Sequence, residues 1–152
     1  MLVGVISDTH GLLRPEALVA LAGAEHILHA GDVGKIEILD ALRKIAPVTA
    51  IRGNVDVSGK CAKLPATEMV ELDGRCFYLV HSVHDLDLDP VAAKVDVVVS
   101  GHSHKPGIER KKGVLYLNPG SAGPRRFNLP MSVAFVTVGE DGVEARIVDL
   151  QG

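Results

Sequence analysis

Leu2-Val3-Gly4-Val5-Ile6-Ser7-Asp8-Thr9-His10 is the stretch that decides how this chain folds. An apolar run of strand length stops abruptly at an acid, a hydroxyl and an imidazole. Residues 2–7 read as a buried strand. Working outward, residues 14–21 read as a helix with Pro15 in its first turn, and 26–29 as a short strand. Ile36, Leu39, Leu42 and Ile45 recur at helical spacing within 35–45, and 48–51 is the third strand. This βαβαβ series implies a parallel sheet with right-handed crossovers.

The second half has a different rhythm. Residues 68–72, an Asp73-Gly74 turn and residues 75–80 form a hairpin signal. A short helix is expected over 89–94, started by Asp89-Pro90. Residues 95–100, 108–111, 114–117, 132–138 and 143–150 read as strands, with turns at Lys112-Gly113 and 139–142. Two β-rich halves with few helices predict an α/β fold, a four-layer α/β/β/α sandwich of two mixed sheets flanked by helices. At 152 residues the expectation is one domain spanning 1–152.

Composition narrows the function. Apolar residues make up 47% and charged residues 23%, ordinary values for a globular protein. No apolar stretch reaches membrane-spanning length, and the first residues lack the basic region of a signal peptide, so a cytoplasmic protein is expected. Cys61 and Cys76 make no metal-type pair and are expected as reduced thiols. A net charge of −3, with 3% aromatics and no Trp, argues against an extended nucleic-acid surface.

What remains is a set of polar punctuation marks. Asp8-Thr9-His10, Gly31-Asp32, Gly53-Asn54 and Gly101-His102-Ser103-His104 each follow a β-type run, and His81 ends another. Ligands in open α/β sheets gather beyond the carboxyl ends of strands, which is where all of these fall. Side chains at i and i+2 of an extended segment share a side, so Asp8 with His10, and His102 with His104, are expected to converge. Burying so many ionisable groups together is costly unless something pairs with them. The seven candidate ligands are Asp8, His10, Asp32, Asn54, His81, His102 and His104. Mixed imidazole and oxygen donors suit Mn, Ni, Zn, Fe or Co better than Ca or Mg.

In this order, D-x-H, G-D, G-N, a strand-ending His and G-H-x-H resemble the calcineurin-like metallophosphoesterases. Asn118-Pro119-Gly120-Ser121 narrows the likeness to their short, single-domain phosphodiesterase branch, and the resemblance runs from Leu2 past Ser121. It implies two divalent metal ions, with manganese favoured. One would take Asp8, His10 and His104, the other Asn54, His81 and His102. Asp32 would bridge them through its two oxygens, and a solvent molecule between them would be the nucleophile. Asp8, Asp32, Asn54 and His102 are the residues expected to carry catalysis. Two divalent ions less two carboxylates leave a charge of roughly +2, about +1 once hydroxide binds. That field favours a small phosphodiester substrate.

Two departures from the family pattern stand out. Larger members carry a His after the Gly-Asn that can protonate a leaving group, where this chain has Val55. Ser82 stands where the branch often has Gly, which leaves His81 and His84 both open as the ligand, with His81 preferred for ending the strand. His29 is read as either a helper of Asp32 or a core histidine, and Asp56 as a turn cap or the partner of a ligand His. Arg52, Arg125 and Arg126 could steer phosphate or be solvated surface groups, and Met69 and Met131 are expected in the core. A homo-oligomer stays open. The rival function is a non-catalytic scaffold on the same fold, as in a membrane-coat complex, for which an intact ligand set is unnecessary.

Overall fold

A computed structural model describes residues 1–125 and 128–150. Strands β1 (Leu2–Ile6), β2 (His26–His29) and β3 (Val48–Ala50) lie parallel and adjacent. Helices α1 (Pro15–Ala20) and α2 (Ile36–Arg43) make the crossovers. Each element falls within a residue or two of its expected bounds. α1 has Pro at its start, where the missing N–H costs nothing. α2 buries Ile38, Leu39 and Leu42 on one face.

The hairpin β4 (Thr67–Leu72) and β5 (Arg75–Val80) opens the second sheet, followed by β6 (Val97–Val99), β7 (Gly107–Lys111) and β8 (Val114–Asn118). Its order is β4-β5-β6-β8-β7, with β5, β6 and β8 parallel. The last strands, β9 (Ser132–Gly139) and β10 (Gly142–Asp149), return to the first sheet, giving the order β10-β9-β1-β2-β3. The sheets are therefore not divided by halves of the chain. β9 explains why: five consecutive buried residues from Ser132 to Val136 require cover on both faces, and a place beside β1 sets Val133 and Phe135 under the helices and Ala134 and Val136 against the second sheet.

Val3, Val5, Leu28, Phe77, Leu79, Val97, Val99, Leu117 and Val136 fill the space between the sheets, each at most 1% exposed. Ile6, Leu21, Ile27, Leu39 and Leu42 form a second layer under the two helices. On the far face of the second sheet, Tyr78, Val80 and Val98 are covered by Leu86 and Leu88. The helix expected over 89–94 is a run of turns, with Ala93 N–H on Asp89 O at 2.9 Å and Lys94 left-handed at φ 60°. Six residues are too few to offset helix nucleation without an apolar face to bury, and Val91 is exposed. The outer layer over this sheet is thus made of turns and a 3₁₀ segment (Val83–Asp85). Met69 is 45% exposed on β4, contrary to the expectation of core packing, because β4 is an edge strand; Met131 is buried. Among the described residues no helix is long and apolar enough to cross a membrane.

His29 ends β2 completely buried. Its Nδ1 accepts the Gly31 N–H at 3.1 Å, so the ring proton sits on Nε2 and is donated to Thr9 Oγ1 at 3.0 Å. The Thr9 hydroxyl passes its own proton to Val33 O at 2.8 Å. His29 is thus a core histidine that ties the loop after β1 to the loop after β2. Burial lowers its pKa to about 4, against the pull of the Asp56 carboxylate. The native state keeps this ring neutral, while the unfolded chain gains a proton below about pH 6.5, so stability falls as pH drops from there toward 4. In metal-free protein, urea unfolding at pH 7 and pH 5 should show an acid loss about 2 kcal/mol smaller for His29→Gln than for wild type. Equal losses in the two proteins would show that His29 is not held neutral.

Candidate metal centre

The carboxyl ends of two parallel triplets, β1-β2-β3 and β5-β6-β8, meet along one edge of the molecule. All seven candidate ligands lie just beyond those ends. The loops continue the sheet's hydrogen bonding: Asp8 N–H reaches Gly31 O (3.0 Å), His10 N–H reaches Asp32 O (2.8 Å), and Gly101 N–H reaches His81 O (2.8 Å). Loops so tied hold their side chains in fixed positions.

The convergence does not arise from strand alternation as the spacing suggested. Asp8 (φ 56°), His10 (48°), Asp32 (55°), His102 (69°) and His104 (62°) are all in the left-handed region. Each such non-glycine residue costs roughly 1–2 kcal/mol, and strain of this kind collects at functional sites. Left-handed backbone turns the chain sharply after the strand and swings the side chain into the cleft. Among the described residues, the other left-handed non-glycine residues, Asp73, Lys94 and Lys112, sit in surface turns.

Close approach of the loops depends on missing side chains. A Cβ on Gly53 would overlap the backbone N and carboxylate of Asp32, and one on Gly101 would overlap Ser7 Oγ and lie 2.5 Å from Asp8 Oδ2. Asp56, 3% exposed, accepts N–H groups from Val33 (3.0 Å), Gly34 (3.0 Å) and Gly53 (2.9 Å). Of its two expected roles it fills the cap, joining two metal loops through backbone donors.

Each buried carboxylate is half occupied. Asp8 Oδ2 accepts the Ser7 hydroxyl (2.7 Å) and the His102 N–H (3.1 Å), while Oδ1 receives no hydrogen bond. Asp32 Oδ1 accepts the Val55 N–H (2.9 Å), so a single oxygen, Oδ2, faces both His10 Nε2 (3.5 Å) and His81 Nε2 (3.1 Å). Asp8 Oδ1 lies 3.5 Å from His104 Nε2, 3.7 Å from His10 Nε2 and 3.9 Å from His81 Nε2. Two overlapping groups could each hold a cation: Asp8, His10 and His104, and Asp8, Asp32 and His81. His102 stacks edge-on to His81 at 5.3 Å between ring centroids, and Asn54 Nδ2 is 3.3 Å from His102 Nδ1.

Tautomers sharpen the point. His81 Nδ1 donates to Ala30 O at 2.8 Å, which leaves the lone pair of Nε2 aimed at the carboxylates. His81 Nε2, His10 Nε2 and Asp8 Oδ1 are buried with no hydrogen-bond partner. Lone pairs facing carboxylate oxygens repel unless a proton or a cation lies between them. Burial opposes charge on His81, but Asp32, the Ala30 carbonyl and Asp8 outweigh it and raise its pKa. Burial likewise opposes charge on Asp32, yet the His81 ring and the Val55 N–H hold its carboxyl well below the usual range. Asp8, more deeply enclosed, is pushed upward by burial despite Ser7 and the nearby imidazoles. A cluster that holds on to protons in this way fits divalent cations at the same positions.

His84 is exposed on the 3₁₀ segment, so the residue brought to the cluster from this loop is His81. Arg52 is exposed and donates to Leu64 O at 2.6 Å, Arg125 is exposed, and Arg126 lies outside the described residues. Asn118 does more than turn the chain: its Nδ2 donates to Gly101 O (3.0 Å) and Ser103 Oγ (3.1 Å), clamping the His102–His104 loop. Sequence reasoning missed Ser7, whose hydroxyl holds the Asp8 carboxylate, and gave Ser121 no contact beyond its place in the Asn118–Ser121 motif, although its hydroxyl holds the Asp8 carbonyl. No periodicity marks a lone serine for such a role.

Known proteins resemble this chain in sequence and in fold. A probable metallophosphoesterase of Methanocaldococcus jannaschii is 36% identical over 164 aligned positions, spanning 99% of this chain and 82% of the relative. A solved structure described as a novel archaeal phosphodiesterase superposes with a TM-score of 0.82 at 26% identity, covering 99% of this chain and all of that one. Wild-type Vps29 of Entamoeba histolytica, complexed with Zn²⁺, superposes with a TM-score of 0.76 at 23% identity over 99% of this chain and 100% of that one, a likeness of fold. The calcineurin-like phosphoesterase superfamily domain matches residues 1–141, and this chain belongs to that superfamily.

Proposed function

We propose that this protein is a dinuclear, metal-dependent phosphodiesterase whose residues 1–152 act as one domain. The observation that carries the reading is the convergence of Asp8 Oδ1, His10 Nε2 and His81 Nε2, buried without hydrogen-bond partners and directed at one another. In this reading Asp8, His10 and His104 hold one cation and Asn54, His81 and His102 the other. Asp32 Oδ2, facing both His10 and His81, supports the role of Asp32 as the shared ligand. When bound, such a pair neutralises phosphoryl oxygens and activates solvent as the nucleophile. Manganese is the favoured metal, with nickel, zinc, iron and cobalt as alternatives.

The chain's own part is to fix positions and manage protons. Asp56 and Asn118 hold the loops, and Ser7 and the Val55 N–H each occupy the outer oxygen of one carboxylate, leaving the inner oxygens for cations. The resulting local positive field attracts a phosphodiester monoanion to a protein of net charge −3. The second reading, a protein-interaction module, draws on the shared fold of Vps29. Because that Vps29 is itself complexed with Zn²⁺, a metal-binding ligand set fits both readings, and the enzyme is favoured by the greater likeness to the archaeal phosphodiesterase.

Three outcomes test the reading. Asp8→Asn should lower metal-stimulated hydrolysis of bis(4-nitrophenyl) phosphate more than about 100-fold. The metal-free variant should be at least as thermally stable as wild type, since an amide avoids the cost of burying the Asp8 charge. A fully active Asp8→Asn protein would end the assignment. Gly101→Ala should destabilise the fold by about 1–3 kcal/mol and weaken manganese binding in a calorimetric titration; wild-type behaviour in both would show that the loops do not rely on this contact. At Val55, 46% exposed beside the site, no side chain can protonate a leaving group. Aryl diesters should therefore turn over at least ~100-fold faster than alkyl diesters of matched size, with Val55→His narrowing the gap. Equal rates on both classes in wild type would refute this account of Val55.

A further inference from the structure

A cleft of about 400 Å³ lies beside the metal loops, on the outer side of the second sheet. Its lining includes Val83, Ser103, Lys105, Ile108, Tyr116 and Asn118. Three of these tie it to the candidate centre. Ser103 stands between His102 and His104, Val83 follows His81 by two residues, and Asn118 clamps the loop that carries both histidines. Its volume is in the range of small-molecule sites.

The chemistry of the lining is selective. Val83 and Ile108 are large apolar residues left 41% and 44% exposed. Tyr116, half-buried on β8, adds an aromatic face with the Lys111 ammonium 5.3 Å from its ring centroid. Lys105 contributes a second cation, and its backbone N–H reaches Ser103 Oγ at 3.3 Å. Exposed apolar surface grouped in one concavity beside a reactive centre marks a binding site. Glu109, also in the lining, pairs with the Lys111 ammonium at 3.7 Å, which leaves Lys105, among the described residues of the lining, as the unpaired cation beside the apolar walls. Together they suit a flat, apolar group attached to an anion.

From this arrangement we infer that the cleft receives an aromatic substituent of the phosphodiester, making Val83, Ile108 and Tyr116 specificity-determining residues. The inference rests on the phosphodiesterase reading above and adds the substrate class to it. The phosphoryl group engages the metal loops while the aromatic ring lies against Ile108 and Tyr116. A methyl substituent would leave that surface uncovered. Because the ring is recognised away from the metal ligands, its contribution appears in binding and not in turnover.

The test compares phenylphosphonate and methylphosphonate as competitive inhibitors of bis(4-nitrophenyl) phosphate hydrolysis by the manganese-loaded protein. Both share the phosphonate head and differ only in the ring, so the identity of the leaving group does not enter. Wild type should bind phenylphosphonate about tenfold more tightly. Ile108→Ser and Val83→Ser, both at partly exposed positions, should each cut that preference to about twofold. They should also raise KM for the diaryl substrate and leave kcat and the methylphosphonate constant unchanged. Equal inhibition constants in wild type, or a preference that survives both substitutions, would overturn the cleft assignment while leaving the phosphodiesterase intact. A parallel loss of affinity for both inhibitors would likewise overturn it, locating the effect in the metal loops. Absence of hydrolysis with every divalent metal tried would instead overturn the phosphodiesterase reading itself.

Discussion

Two carboxylates, Asp8 and Asp32, each have one oxygen bound by the protein and one turned toward the buried Nε2 atoms of His10 and His81, and His81 already spends its Nδ1–H on the Ala30 carbonyl. This opposition is the constraint on which the rest of the architecture depends. In water it would cost little, because solvent would satisfy every lone pair. Here Asp8 is fully buried and Asp32 nearly so, and at low local dielectric the same lone pairs repel strongly. Protons relieve part of that repulsion, as the raised pKa of His81 shows. Divalent cations relieve it better, since each can accept several lone pairs at once.

The fold serves as the counterweight to this tension. Five left-handed non-glycine residues cost roughly 1–2 kcal/mol apiece, and such a total exceeds what loops alone could sustain. The strain is supported by strands whose side chains are completely buried between two sheets, and by polar groups that fasten one loop to the next. His29 links the first two loops through Thr9 and Gly31, Asp56 links the second to the third, and Asn118 fixes the last. None of these three is among the candidate ligands. They hold the ligands in a geometry that an isolated peptide of the same sequence would not adopt.

Much of this is legible in the sequence. The run ending in Asp8 and the periodicity of 35–45 carry the βαβ pattern in their side chains, because burial on two faces or one leaves a mark on composition. The order and spacing of Asp8, His10, Asp32, Asn54, His81, His102 and His104 pointed to one pocket, and these side chains do gather there. What sequence could not carry was the means of convergence. Alternation along a strand would have brought Asp8 and His10 to one side, but left-handed backbone does so, and nothing in an Asp or His side chain announces a positive φ. Pairing partners were equally hidden. β9 joins β1 across more than a hundred intervening residues, a choice made by the need to cover β1 and not by local preference. Residues 89–94 have a helix-starting Asp-Pro but no apolar face to bury, so tertiary context left them as turns.

The arrangement of rigid and variable parts bears on how one scaffold serves different ends. In the metal loops a Cβ at Gly53 or Gly101 would already meet Asp32 or Ser7 and Asp8, so there is little freedom to enlarge a residue beside a ligand without displacing it. The rim has no such restriction. Val55 contributes its backbone N–H to Asp32 whatever its side chain, so an acid could be gained or lost there without disturbing the carboxylate. The cleft past Ser103 is walled by an edge strand whose five residues are all exposed, and exposed positions tolerate substitution with small stability effects. Chemistry and selectivity are therefore separable in this structure: the first is fixed by buried groups that constrain one another, and the second lies on a surface free to vary. A protein built this way can change what it accepts far more readily than what it does to it.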